Sequence, residues 1–308
     1  MLITLDIFSG RPNPSWHLSD KDAKGLFDRV GDRALAEEST VEGVLGYRGF
    51  VVTALGDDKL PRGIPSSFRV AGQLPGGVTL GDDKLRALSS DESDDTALWL
   101  LKTGRHILGD DIQAYVDDHV RTRSLGAGPA EPIADEEKPN LEEARDSRAL
   151  CVIANSAYNP AFWNNPAVQP NNNCYNYAMN YRSNTFAQPG RISGHPTGVM
   201  QCANVAAAAN WDGCLAVCSG SNHLVALVIW PGTDFHWYRR QKEGFWAHKP
   251  GGTAVRNVDN AAHIINGTTL TPQNCNRGPY TQFCGYRYAP NKVAGQSNQP
   301  GLWGLPVR

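Results

Sequence analysis

The first 150 residues of the chain contain no cysteine, whereas the remainder carries seven: Cys151, Cys174, Cys202, Cys214, Cys218, Cys275 and Cys284. An excess of charge of one sign is also missing. The 29 Lys and Arg residues are offset by 31 Asp and Glu. That balance excludes electrostatic attraction to nucleic acid or to an anionic membrane as a source of binding. Long hydrophobic runs are absent too. The best, "HLVALVIW" (residues 223–230), has strand length and falls well short of the roughly 18 apolar residues that mark a membrane span. The opening "MLITLDIFSGRPNP" lacks the basic stretch and apolar core of a signal peptide. The expected location is therefore cytoplasmic, or outside the cell by export without a cleaved signal peptide. On that footing the thiols are expected to be reduced. Cys214 and Cys218 have no Cys/His pair to complete a structural zinc site, so neither a metal nor another cofactor is expected.

With 308 residues the chain is long enough for two domains, and its composition shifts accordingly. Residues 1–123 read as a small α/β domain. "LITLDIF", "YRGFVVTAL" and "SFRVAGQL" have strand character. "SDKDAKGLFDRV", "TALWLLKTGRHIL" and "DDIQAYVDDHV" have helical spacing. "SGRPNPSW" (residues 9–16) reads as a rigid turn that packs Trp16 on the core. "LGDDKL" occurs at residues 55–60 and 80–85 and reads as a recurring turn. Residues 124–150 hold three prolines and a clear acidic excess, which suits a solvated linker. Residues 151–308 form the second domain. Helices come first there and an antiparallel meander follows, so the fold class is α+β.

The chemistry is concentrated in that second domain. In "NNNCYNYAMNYRS" the asparagines cap a helix expected over residues 174–186, with Cys174, Ala178 and Tyr181 on one face. A cysteine in a first helical turn sits among unpaired N–H groups and partial positive charge. Both favour the thiolate, and the same N–H groups can hold an oxyanion. "HPTGVMQCANVAAAANWDG" reads as a second helix with Cys202 inside it, stopped at Asp212-Gly213.

Two strands follow, and each carries a histidine. In "DFHWYRR" His236 shares a face with Asp234 and Tyr238, and in "FWAHK" His248 shares a face with Trp246. A turn over residues 241–244 places His248 opposite His236 or one residue off. On one face, directly opposed Cβ atoms would lie roughly 4.5–5.5 Å apart. His236 then serves as base and His248 as its orienter.

A cysteine at a helix start, then a strand histidine, then a polar residue on the next strand resembles the papain-like cysteine peptidase superfamily. Within it the pattern is most like the NlpC/P60 family of bacterial cell-wall peptidases. The resemblance covers roughly residues 165–260. It implies a papain-like domain with a Cys174–His236–His248 triad, and a thiol hydrolase (peptidase or amidase) that acts on a peptide, protein or peptidoglycan-type substrate. It also implies Gln169, shortly before the cysteine, as an oxyanion-hole residue, with Asp259 and Asn257 as rival third members. Alternatives are an acyltransferase or deamidase on the same fold, a non-catalytic peptide- or glycan-binding module, and a zinc site formed by Cys174, His236 and His248.

Overall fold

A computed structural model of the chain describes residues 1–31, 43–56, 58–70, 90–122 and 151–291, with the backbone alone for 90–94. The chain divides into two compact units. One comprises Met1–Ile7 and Asn13–Leu125, the other Phe8–Pro12 and Gly126–Arg308. The expected linker at 124–150 and the second "LGDDKL" copy lie outside the described residues.

In the first unit, strand β1 (Leu2–Leu5) pairs antiparallel with β2 (Ser15–His17) and β3 (Phe50–Thr53), and β3 pairs with β4 (Ser67–Val70). Alternation puts Ile3 and Leu5, Phe50 and Val52, and Phe68 and Val70 into the core. Helices α1 (Asp20–Val30), α2 (Ser90–Thr103) and α3 (Asp110–Thr122) add Leu26, Val30, Leu100, Val116 and Val120. The described strands are all antiparallel, so this unit is α+β rather than the α/β expected from its sequence. Trp16 is buried in β2, where its indole N–H donates to Thr103 Oγ1 (2.9 Å).

In the second unit, β5 (Cys151–Ile153), α4 (Pro160–Trp163), α5 (Cys174–Ala178) and α6 (Cys202–Trp211) precede the long strand β6 (Gly220–Trp230). Strands β7 (Asp234–Arg240), β8 (Trp246–His248) and β9 (Gln282–Pro290) follow. β6 is the hub. It pairs parallel with β5 and antiparallel with both β7 and β9, and β7 pairs with β8. Val225, Leu227 and Ile229 of β6 and Phe235 and Trp237 of β7 share one apolar cluster with Cys174, Tyr175 and Ala178 of α5 and Val205 and Ala209 of α6. The stretch "GTAVRNVD" adds two isolated bridges, Arg256 to His248 and Val258 to Ile264, and not a strand.

Three local expectations are corrected. The helix at Cys174 lasts five residues rather than thirteen; Met179 caps it and Asn180 turns left-handed (φ 49°). Cys202 opens α6 instead of lying inside it. The thiols are not all reduced: Cys151 is bonded to Cys218 and Cys202 to Cys284. Cys174, Cys214 and Cys275 remain free and buried.

Candidate functional site

The site grows from the β7–β8 hairpin. The turn closes with Gln241 N–H donating to Phe245 O and Gly244 N–H to Gln241 O, and Gly244 adopts φ 94°. In this register Tyr238 faces His248. His248 is therefore two residues away from direct opposition to His236, a larger offset than the sequence suggested. An even shift keeps both rings on one face. They meet diagonally, with His236 Nε2 2.9 Å from His248 Nδ1. Tyr238 stacks on His248 (centroids 4.8 Å apart) and abuts His236 edge-on.

The hydrogen bonds assign the proton positions. His248 Nε2 lies 2.9 Å from Val258 O, and a carbonyl only accepts, so Nε2 carries the proton. Burial first, and then the charge of Arg256, hold the His248 pKa down at about 3, against the opposing pull of the Val258 carbonyl. The neutral ring has one proton, so its Nδ1 accepts, and His236 Nε2–H must donate to it. With His236 neutral as well, its Nδ1 keeps its lone pair. That lone pair meets Ser9 Oγ at 2.5 Å, so the hydroxyl donates. The result is a directed chain from Ser9 through His236 and His248 to Val258 O, its side chains fully buried or nearly so.

Ser9 belongs to the segment Phe8–Pro12, whose main chain is fixed by residues of the same unit. Asp234 accepts from the N–H groups of Ser9 (2.6 Å), Gly10 (3.0 Å) and Arg11 (2.9 Å), and from Tyr280 Oη–H (2.5 Å). Burial raises the Asp234 pKa, while Tyr280 and the three N–H groups pull it down. Gly10 O accepts from two side-chain amides, Asn173 Nδ2 (2.7 Å) and Gln188 Nε2 (2.8 Å). A Cβ at position 10 would lie 2.4 Å from the Phe235 ring and 2.5 Å from its carbonyl oxygen, so only glycine fits.

Cys174 follows an Asn cap, as the sequence implied. Asn173 Oδ1 accepts from the N–H groups of Tyr175 and Asn176, and Asn176 Oδ1 accepts from Asn173 N–H. That reciprocal cap takes up the N–H groups of Tyr175 and Asn176, two of the donors expected to stabilise a thiolate. Cys174 Sγ lies 3.9 Å from Phe235 O and shares a hydrogen bond with the Ser9 hydroxyl. Burial, and next the Asp234 charge, drive its pKa well above the ordinary thiol value; Ser9, Trp237 N–H and Lys249 pull the other way and lose. In this arrangement Cys174 is a protonated thiol, and the group on His236 Nδ1 is Ser9.

The remaining candidates are placed as follows. Gln169 presents its backbone carbonyl, which accepts from Lys249 Nζ (2.6 Å); the amide that reaches a carbonyl beside Cys174 is Gln188. Lys249 Nζ also donates to Asn172 O and Gly251 O. Asp259 is spent on the N–H groups of Ala261, His263 and Asn276, and Asn257 O accepts from Ile265 N–H. The residue between those two rivals, Val258, backs His248 through its carbonyl. Among the described residues no group of His, Cys, Asp and Glu is placed to hold a metal ion, and no helix is long and apolar enough to cross a membrane. Sequence reasoning missed Ser9, Asp234 and Gln188 as members of the site. "SGRPNP" was visible, but nothing in the sequence ties residue 9 to a histidine 227 positions away.

No family model matches the chain, and no solved structure matches it. It is similar to a protein of Ruditapes philippinarum, described as insoluble matrix shell protein 1, with 41% identity over 142 residues, 45% of this chain and 93% of the relative.

Proposed function

We propose that the second unit of this chain, which belongs to the family of insoluble matrix shell protein 1, is a papain-like, NlpC/P60-like thiol hydrolase module acting on an amide or ester. The observation that carries this reading is the proton chain: Val258 O and His248 force the basic lone pair of His236 toward Ser9 Oγ, beside Cys174. Cys174 is the nucleophile, because a thiol gives up its proton more readily than a serine hydroxyl. Its proton passes to His236 Nδ1, the position Ser9 now holds. The sulfur attacks the carbonyl carbon, and the side-chain amides of Asn173 and Gln188 hold the oxygen as it gains charge. His236 returns the proton to the leaving amine or alcohol. Water then cleaves the thioester, with His236 taking its proton, and the free acid and the thiol are restored. An amine in place of water makes the same module an acyltransferase. The substrates are peptides, proteins or peptidoglycan-type amides. The two disulfides support an oxidising location outside the cytoplasm.

A second reading is a non-catalytic matrix module. The name of the relative and the complete burial of Cys174 favour it.

Acylation by p-nitrophenyl acetate separates the two. In molecules whose His236 Nδ1 is not taken by Ser9, the hydrolase reading expects an acetyl group on Cys174, located by mass spectrometry. It also expects that His236→Ala slows the acylation by about 100-fold or more. Acetylation of Ser9 in place of Cys174, or labelling indifferent to His236, contradicts it.

A further inference from the structure

The segment Phe8–Pro12 touches the candidate site in the way a bound peptide would. Its three successive N–H groups converge on one carboxylate, Asp234. Its Gly10 carbonyl is gripped by two side-chain amides, one of them on the residue preceding Cys174. Its Ser9 hydroxyl takes the lone pair of the base. Arg11 Nη1 donates to Thr233 O (2.6 Å) and anchors the far end. These contacts are made to main-chain groups, to a hydroxyl and to an arginine. Gly10 carries a steric demand, because Phe235 leaves no room for a Cβ.

We propose that Phe8–Pro12 is the built-in occupant of the peptide track at Cys174 and His236, that the module is latent while it is seated, and that the track selects peptides with glycine at the Gly10 position. The inference rests on the hydrolase reading for what the track is used for, but not for what occupies it. Seating blocks chemistry in two ways. The Ser9 hydroxyl satisfies His236 Nδ1, and the Gly10 carbonyl fills the two-amide grip that a substrate carbonyl would need. A peptide supplied from outside has to displace the segment, so its apparent affinity is reduced by the fraction of molecules in which the track is empty.

The test is Gly10→Ala, whose added methyl collides with Phe235 and unseats the segment while β6 and its neighbours stay in place. Iodoacetamide alkylation of Cys174 is expected to rise about tenfold or more, in step with the emptied fraction. The pentapeptide Phe-Ser-Gly-Arg-Pro is expected to restore protection, and its Ala-for-Gly version to fail. A folded Gly10→Ala protein that alkylates Cys174 at the unsubstituted rate overturns the proposal, as does equal protection by both peptides. Should the variant not fold, hydrogen exchange on the unsubstituted chain decides. The amides of Ser9, Gly10 and Arg11 and the Cys174 thiol are expected to open together, ahead of the β6 amides. Cys174 that becomes reactive only with β6 overturns the proposal. If Gly10→Ala exposes Cys174 but p-nitrophenyl acetate still leaves it unmodified, the hydrolase reading falls and the occupancy stands.

Discussion

Removing both disulfides is expected to cost the second unit most of its stability. The pairs Cys151–Cys218 and Cys202–Cys284 close spans of 67 and 82 residues. On a chain-entropy basis each such closure is worth about 4 kcal/mol, against a total of about 5–15 kcal/mol for a folded protein. The local structure explains why the bonds matter. β5 is exposed along its whole length, so burial cannot hold it on β6, and Cys151 at its first residue does so instead. α6 begins at Cys202 after Gln201, which makes no side-chain capping bond, and the second disulfide pins that uncapped end to β9. The measurement is the denaturant midpoint of the paired Cys→Ser variants, singly and combined. Variants that each lose less than about 1 kcal/mol would show that the sheet holds these ends unaided.

Asp234→Ala is the second large effect, expected at about 3–5 kcal/mol of lost stability. The carboxylate is fully buried and accepts four hydrogen bonds, three of them from consecutive backbone N–H groups. Alanine removes the acceptor of the Gly10 and Arg11 N–H groups and of the Tyr280 hydroxyl and leaves Ser9 N–H only Tyr280 Oη, and each unsatisfied buried donor costs about 1–3 kcal/mol. Part of the loss is avoided if Phe8–Pro12 leaves its seat, so Cys174 alkylation is expected to rise in the same variant. Asp234→Asn retains one accepting oxygen and recovers part of the stability. A shift below about 1 kcal/mol in urea unfolding, with Cys174 still protected, would mean that the segment is held by other contacts.

Much of this site could be read in the sequence, because it rests on local rules. Three asparagines before a cysteine announced a cap, and Asn173 supplies it. Period-two alternation put His236 and His248 on one face, and Gly244 closed the turn between them. The exact register was not legible: turn length and hydrophobic pattern constrain pairing to within a slip or two, and the added offset preserved the face by parity. The protonation of Cys174 was misread for a physical reason. The rule that a helix start favours thiolate assumes free N–H groups, and Asn173 spends two of them. Burial beside Asp234 then decides the outcome. Ser9, Asp234 and Gln188 escaped notice because their roles come from contacts across the chain. Asp234 differs in sequence from any surface aspartate only by its place on a strand next to a histidine. The disulfides were missed because cysteine spacing alone does not fix pairing, and the apparent lack of a signal peptide argued the wrong way.

His248 also gives the fold a pH dependence of defined sign. Its folded pKa, about 3, lies below the ordinary 6.5, so the unfolded chain binds the proton more readily. The stability linked to it is complete above about 6.5. It is lost as pH falls from there toward 3, by at most about 1.4 kcal/mol per pH unit. The whole proposal depends on which ring nitrogens carry protons, and ¹⁵N NMR of the histidine rings reads this directly. At pH 5 the account predicts a neutral His248 protonated on Nε2, and a His236 whose Nε2 is protonated toward His248. A His248 that is cationic at pH 5, or protonated on Nδ1, would reverse the chain, withdraw the lone pair from Ser9 and Cys174, and contradict the account.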